Sequence, residues 1–106
     1  MGTVVVRYKT KPERAEENQA LVEAVFAELS ADAPAGLRYE SYRLADGVSF
    51  VHIASIDTAD GSNPLTAMPA FSAFLQGIAD RCSEAPLALE ANEIGAYASA
   101  TPVPHS

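Results

Sequence analysis

Hydrophobic and polar positions along the first third of the chain predict a strand followed by a helix. The β-branched and aromatic residues at 3–9 are typical of a strand. Apolar side chains then recur at spacings of three and four, which predicts an amphipathic helix over residues 12–31. Pro12 suits the first turn of that helix, and a proline and a glycine within residues 32–36 end it.

The middle of the chain predicts a β-hairpin and a second helix. Two strand-like runs, at residues 37–44 and 48–56, flank an Ala-Asp-Gly turn. A polar loop at 57–64 follows these runs. The apolar positions after the loop predict a second helix that is interrupted at Pro69 and ends near residues 81–82.

The end of the chain completes the order of elements. Residues 87–97 predict a last strand, and residues 99–106 a flexible C-terminal tail. Over residues 1–98 the order is strand, helix, strand, strand, helix, strand, which is that of the ferredoxin-like βαββαβ plait, an α+β fold. We therefore expect a single domain with a four-stranded antiparallel sheet and two helices on one face of it.

The predicted strands are apolar at consecutive positions, as at residues 4–6, 50–51 and 53–54. A strand with one solvated face alternates between apolar and polar residues, so this pattern indicates that both faces of the sheet are covered. Because the helices cover only one face, we expect a second copy of the chain, related by two-fold symmetry, to cover the other. The alternative is that small residues blur a short alternation.

Composition narrows the class of protein. The chain carries 14 acidic and 7 basic residues, a net charge of −7, which argues against nucleic-acid binding because that requires a basic surface. No apolar run approaches the about 20 residues of a membrane span, and the N-terminus does not resemble a signal peptide. The single cysteine excludes an intrachain disulfide and a cysteine-based zinc cluster. We expect a soluble, cytoplasmic protein that binds neither membranes nor nucleic acid.

His52, the only histidine outside the predicted tail, lies in the middle of a predicted strand. A two-residue hairpin loop sets Ser41 opposite His52, whereas a three-residue loop sets Glu40 there. The three-residue loop also places Tyr42 opposite Phe50, a good apolar cross-strand pair, so we favour it. A carboxylate beside His52 would raise the basicity of the imidazole, as a general base requires. The alternative is a structural hydrogen bond at the sheet or at a dimer interface.

Further candidate residues lie on the predicted helices. Asn18 continues the apolar stripe of the first helix, in line with Val22, and a buried amide there needs hydrogen-bond partners. Those partners are either a ligand in a cavity between helix and sheet or groups of the protein itself. Phe71 and Phe74 lie on one face of the second helix, where they either wall a small apolar pocket or form part of the core.

Several motifs with known chemistry are absent from the sequence. It contains no glycine-rich nucleotide-binding loop, no His-Glu-x-x-His zinc motif and no Gly-x-Ser-x-Gly nucleophile elbow. The acidic loop around Asp57 and Asp60 lacks the closing glutamate of a calcium-binding loop. We therefore expect neither a cofactor nor a metal ion.

The element order, the chain length, the hairpin over residues 37–56 and the segment NPLTAMPAFSAF at 63–74 resemble the antibiotic-biosynthesis-monooxygenase-like domains of the dimeric α+β barrel superfamily. The resemblance covers about residues 3–98 and implies a homodimer whose two sheets face one another as a barrel. The glutamate and tryptophan that this family often carries late in the third strand are replaced by Ala54 and Ile56. The chain has no tryptophan, which disfavours the heme-degrading activity found in one branch.

The resemblance also implies a function. It suggests a small cofactor-independent monooxygenase that acts on an electron-rich aromatic or quinol-type substrate, bound between the sheet and the helices. We expect His52 and Asn18 to be the catalytic residues. The residues expected to contact the substrate are Val22, Glu40, Tyr42, Phe50, Phe71 and Phe74. The alternative is a non-catalytic dimer of the same fold that binds a small apolar or aromatic molecule or has a structural role.

Overall fold

A computed structural model describes residues 2–99 of the 106-residue chain. Its strands are β1 (Gly2–Thr10), β2 (Leu37–Arg43), β3 (Ser49–Ile56) and β4 (Cys82–Ala91). Its α-helices are α1 (Ala15–Asp32), α2 (Pro69–Leu75) and α3 (Ile78–Arg81), and short 3₁₀ turns at Pro12–Arg14 and Pro64–Ala67 precede α1 and α2. Apart from Ser99, the predicted tail at residues 99–106 lies outside the described residues.

The four strands form one antiparallel sheet in the order β2-β3-β1-β4. This order, with α1 between β1 and β2 and the other helices between β3 and β4, confirms the predicted α+β ferredoxin-like plait. The predicted second helix is divided into α2 and α3 because Gly77, at φ 75°, adopts a left-handed conformation that interrupts it.

The core lies between the sheet and helices α1 and α2. Tyr8 and Phe50 on the two central strands are buried with Val22 and Val25 of α1 and with Phe74 of α2. The helical spacing of the apolar residues in α1 places Val22 and Val25 on the face that meets the sheet. The candidates Val22 and Phe50 therefore belong to this core.

The hairpin register differs from the one that the sequence favours. The prediction that Glu40 lies opposite His52 is wrong, because Ser41 is the cross-strand partner of His52. Glu40 instead pairs with Ile53. Since successive residues of a strand point to opposite faces, Glu40 and Tyr42 lie on the face of the sheet opposite to His52.

The side chain of Asp46 explains this register. Its carboxylate accepts hydrogen bonds from the backbone N–H groups of Val48 and Ser49 at 3.0 and 2.8 Å. The N–H of Leu44 donates to the carbonyl of Ser49 at 2.8 Å, so residues 45–48 form the loop. These side-chain to backbone bonds favour the observed turn over the pairing of aromatic residues that we expected.

The last strand lies earlier in the chain than predicted. β4 spans Cys82–Ala91 rather than residues 87–97, and it includes Pro86. An edge strand tolerates a proline, which has no N–H to donate, and a shift in register between Arg7 and Lys9 of the neighbouring β1 accommodates it.

The face of the sheet turned away from the helices carries an apolar patch beside charged residues such as Arg38 and Glu40. Leu87 and Leu89 of β4 are 47% and 54% exposed there. Val5 of β1 pairs with both Leu89 and Ile53, so these three side chains share that face. Exposed apolar surface of this kind is typical of a site of interaction.

Candidate functional site

A small apolar pocket of about 210 Å³ lies between the sheet and the segment that carries α2 and α3. Strand residues form one wall, and the residues around α2 form the other. The side chains that define its shape are Tyr8, Tyr39, His52, Leu65, Phe71, Phe74, Leu75 and Ile78. A site with aromatic and aliphatic walls and few polar groups suits a small apolar ligand.

His52 is one of the polar side chains that line this pocket, together with Asn63, Tyr8 and Tyr39, and it is only 4% exposed. Its Nε2 atom lies 2.7 Å from the hydroxyl oxygen of Tyr8. Its Nδ1 atom lies 2.6 Å from the hydroxyl oxygen of Tyr39 and 2.8 Å from Oγ of Ser41. Both ring nitrogens are therefore engaged by protein groups, which fixes the orientation of the imidazole.

Burial keeps His52 and its hydrogen-bonded neighbours Tyr8 and Tyr39 neutral. Removal of His52 from water lowers its pKa from 6.5 to about 4. Burial also raises the pKa of Tyr8 well above its ordinary value, although the hydrogen bond from Asn18 and the charge of Arg81 act in the opposite direction. The pKa of Tyr39 is raised as well, chiefly by burial. At neutral pH the pocket thus presents an uncharged imidazole between two phenols.

A second layer of buried polar groups supports Tyr8. Nδ2 of Asn18 donates to the hydroxyl oxygen of Tyr8 at 2.8 Å, and Oδ1 of Asn18 accepts from Nε of Arg81 at 3.1 Å. The guanidinium of Arg81 also donates to the backbone carbonyls of Gln76 and Phe74. Arg81 is 2% exposed, and none of the ion pairs among residues 2–99 involves it.

Aromatic contacts hold these rings in place. The ring centroids of Tyr8 and Phe50 are 5.5 Å apart and the rings nearly parallel, and those of His52 and Phe74 are 5.3 Å apart. The guanidinium carbon of Arg81 lies 5.5 Å from the centroid of the Phe74 ring, an arrangement that stabilises a buried cation. Phe74 therefore contributes to the pocket wall and to the burial of Arg81.

The structure brings some of the predicted site residues together and separates others. His52, Phe71 and Phe74 line the same pocket. Asn18 is buried one step behind it and contacts Tyr8 and Arg81 rather than open space.

Two predicted contacts lie elsewhere. Tyr42 and Glu40 are on the other face of the sheet, where the Tyr42 hydroxyl donates to the Glu40 carboxylate at 2.6 Å. Arg38 forms an ion pair with the same carboxylate. Reaching His52 from there would require passage through the sheet.

No sequence pattern identifies Tyr8, Tyr39 or Arg81 as residues of this site. Tyr8 and Tyr39 carry no motif, although strand alternation places Tyr8 on the same face as its neighbour across the strands, Phe50. An arginine at the end of a helix, such as Arg81, is expected at the surface, and only the three-dimensional structure shows that it is buried.

No group of three or more His, Cys, Asp or Glu side chains in the described part of the chain is arranged to hold a metal ion. Within residues 2–99 no helix combines the length and the apolar character that a bilayer crossing demands.

Solved structures with the same fold include several that are named as antibiotic biosynthesis monooxygenases and one that is named as a protein of unknown function. One from Nitrosomonas europaea, assigned as an antibiotic biosynthesis monooxygenase, superposes with a TM-score of 0.74 at 14% identity, over 90% of this chain and 100% of its own. One from Caulobacter crescentus, also named as an antibiotic biosynthesis monooxygenase, superposes with a TM-score of 0.68 at 21% identity. The match covers 89% of this chain and 90% of the other. A Nitrosomonas europaea protein of unknown function has a TM-score of 0.70 at 15% identity, over 94% and 95%.

At the level of sequence, no family model and no curated protein matches the chain. The likeness therefore concerns the fold, and it extends over nearly the whole length of both partners in each comparison. The chain has the fold of the antibiotic-biosynthesis-monooxygenase-like domains.

Proposed function

We propose that this protein is a cofactor-independent monooxygenase that acts on a small electron-rich aromatic or quinol-type substrate. The observation that carries this proposal is the pocket of about 210 Å³ with aromatic walls and a buried, neutral His52 held between two phenols. An apolar cavity of about 150 Å³ accommodates benzene, so a single substituted ring fits this volume. The pocket is smaller than the about 300 Å³ at which sites for drug-sized ligands begin, which argues against a multi-ring substrate.

The chemistry needs no cofactor if the substrate supplies all the electrons. Hydroquinone and dioxygen give hydroxybenzoquinone and water: one oxygen atom enters the ring, the other leaves as water, and the substrate loses four electrons in total. An ionised quinol is the form that transfers electrons to dioxygen most readily. The protein would bind that form, orient it and exclude water from the reaction.

We assign His52 a positioning role in this reaction. Both of its ring nitrogens already have hydrogen-bond partners, and a group with a pKa of about 4 is a weak base at neutral pH. Tyr39 borders the pocket and its hydroxyl oxygen lies 2.6 Å from Nδ1 of His52, so we assign to this hydroxyl the contact with a substrate oxygen. Asn18 contributes one step behind, through Tyr8.

Oxygen uptake with hydroquinone tests this proposal. We expect uptake of one dioxygen per hydroquinone without hydrogen peroxide, so that added catalase returns no oxygen, whereas simple autoxidation releases peroxide. Tyr39→Phe should slow the reaction at least about tenfold, the effect of losing one hydrogen bond to a charged substrate oxygen. The matched control Tyr97→Phe, at a side chain that is 93% exposed, should not. Uptake that equals the uncatalysed rate across a series of single-ring quinols would refute the proposal.

A second candidate function is ligand binding without catalysis. It is favoured by the complete hydrogen-bonding of the His52 ring, since such a cluster contributes structure without offering a base. Binding of hydroquinone that leaves the rate of oxygen uptake unchanged would support this alternative.

We also propose that a second copy of the chain covers the apolar patch formed by Val5, Ile53, Leu87 and Leu89. Burial of half-exposed leucines provides the driving force for such an association. Sedimentation should give a particle of about twice 11.2 kDa, and Leu89→Glu should shift it to the monomer. A wild-type protein that sediments as a monomer at micromolar concentration would contradict a stable dimer. The cytoplasmic location also remains a prediction.

A further inference from the structure

The buried hydrogen bonds behind the pocket have a direction that is fixed at one end. A guanidinium has only donors, so Arg81 must donate to Asn18, and the carbonyl oxygen of the Asn18 amide must face it. The NH₂ group of Asn18 then faces Tyr8, and the Tyr8 oxygen accepts a hydrogen bond from it at 2.8 Å. Arg81 thus determines the orientation of the Asn18 amide, which lies one step behind the pocket.

The direction continues through Tyr8 to His52. Within the described residues, the Tyr8 hydroxyl contacts only Asn18 and Nε2 of His52. Because the Asn18 contact supplies a donor, Nε2 is the acceptor left for the Tyr8 hydrogen. Nε2 therefore carries a lone pair, and the single hydrogen of the neutral imidazole resides on Nδ1.

The opposite tautomer would leave a buried donor unsatisfied. If Nε2 carried the hydrogen, the Tyr8 oxygen would accept from both neighbours and its own O–H would have no acceptor among the described residues. Tyr8 is 4% exposed, and a buried hydroxyl without a partner costs about 1–3 kcal/mol. In the Nδ1–H tautomer the unpaired hydrogen belongs instead to the hydroxyl of Tyr39 or Ser41, and because both residues are less deeply buried than Tyr8, the cost is smaller.

The same tautomer leaves a hydrogen to spare at the pocket. Nδ1 faces the hydroxyl groups of Tyr39 and Ser41, and an N–H there can only donate to them. Neither hydroxyl hydrogen can then bond to Nδ1, because Nδ1 has no lone pair. Within this group of three side chains, one hydroxyl can donate to the oxygen of the other, but the second hydroxyl has no acceptor. One hydroxyl hydrogen is therefore free to bind a group outside the cluster. Tyr39, unlike Ser41, borders the apolar pocket.

We propose that the chain Arg81–Asn18–Tyr8–His52 orients the Tyr39 hydroxyl as a hydrogen-bond donor into the pocket, so that the site selects an aromatic ligand bearing an acceptor oxygen. Such an oxygen is a phenolate or a ring-attached carbonyl. The inference deepens the proposed function, on which it rests for the presence of a ligand, because an ionised quinol presents that acceptor. Arg81, Asn18 and Tyr8 act as positioning residues for Tyr39.

The first test reads the tautomer without any ligand. Two-bond ¹H–¹⁵N correlation spectra of the full chain distinguish Nδ1–H from Nε2–H, and His105→Gln leaves His52 as the one histidine in the spectrum. We expect Nδ1–H in the wild type. Asn18→Asp, which is nearly isosteric and gains an ion pair with Arg81, replaces the donor facing Tyr8 with an acceptor. Tyr8 then donates to Asp, and we expect His52 to change to Nε2–H.

The second test measures the preference of the pocket with two neutral probes of the same shape. Acetophenone carries a carbonyl, and α-methylstyrene has a CH₂ group in its place. In Tyr39→Phe and in Asn18→Asp, the affinity for acetophenone should fall about three- to tenfold relative to the affinity for α-methylstyrene. This is the effect of losing one neutral hydrogen bond. In the control Tyr97→Phe the ratio should stay as in the wild type.

An Nε2–H tautomer in the wild type, or a ratio unchanged by Tyr39→Phe, would overturn the inference. If Asn18→Asp does not fold, the wild-type tautomer and the Tyr39→Phe ratio still decide. None of these measurements depends on turnover, so a protein that binds the probes as expected but consumes no oxygen would refute the proposed function and leave this inference standing.

Discussion

Acidification should destabilise this protein because His52 is buried in its neutral form, and the size of the effect measures that burial. The pKa of His52 is 6.5 as an unperturbed group and about 4 in the folded chain, because burial penalises the charged form. Between these values the unfolded chain binds a proton that the folded chain does not bind. The free energy of unfolding therefore falls as the pH drops through this window, and the contribution of neutral His52 is fully present only above it.

The size of the effect follows from the difference in pKa. A lowering from 6.5 to about 4 corresponds to about 3 kcal/mol between the two protonation states. About 2.5 kcal/mol of this should be lost between neutral pH and about pH 4.5. That amount is a large fraction of the 5–15 kcal/mol that stabilises a typical domain.

Urea titrations at several pH values measure this loss of stability by comparing two proteins, one with His52 and one with His52→Gln. Both carry His105→Gln, so His52 is the only histidine by which they differ. The difference in unfolding free energy between the two proteins should shrink by about 2.5 kcal/mol from neutral pH to about pH 4.5, since the carboxylates contribute equally to both. Parallel curves for the two proteins would show that His52 is not desolvated in the fold, and the reasoning about its neutral state would fail.

Three further predictions concern other parts of the structure and are tested by urea unfolding. Phe74→Ala should cost about 3–5 kcal/mol and Leu75→Ala, at a half-exposed neighbour, less than about 1.5, and equal costs would contradict the packing described. Gly36→Ala should lower the free energy of unfolding by about 1–3 kcal/mol more than Gly61→Ala does. Both glycines have positive φ, but only at Gly36 does an added Cβ lie 2.6 Å from a backbone oxygen, and equal losses of stability would exclude that clash. Arg81→Lys should cost about 3 kcal/mol, since an ammonium cannot reach all three acceptors of the guanidinium, and a loss below about 1 would mean that these bonds contribute little.

The sequence predicts the fold well because the signals involved are local and periodic. The spacing of apolar residues predicts α1, and the Asp46-Gly47 turn between two β-branched runs predicts the hairpin. The register could not be predicted in the same way. It depends on hydrogen bonds from the Asp46 side chain to two backbone N–H groups, and these compete with the cross-strand pairing that the sequence alone suggests.

The candidate site is predicted only in part, for a related reason. His52, Phe71 and Phe74 share a pocket because strand and helix periodicity already place them toward the core. Tyr8, Tyr39 and Arg81 complete the site through contacts between residues far apart in the chain, such as the 2.7 Å bond from Tyr8 to His52. No local pattern encodes those contacts. The register that the sequence favours puts Glu40 on the same face as His52, whereas the observed register puts Glu40 and Tyr42 on the other face.

The location of the ligand site is the claim on which the proposed chemistry depends, and an NMR titration tests it directly. Hydroquinone added under anaerobic conditions binds without being consumed. Amide and side-chain resonances of Tyr39, His52, Phe71 and Phe74 should shift together with increasing ligand, while those of Val5 and Leu89 on the opposite face stay unchanged. Shifts confined to the opposite face, or none up to millimolar ligand, would show that the pocket beside His52 is not the binding site.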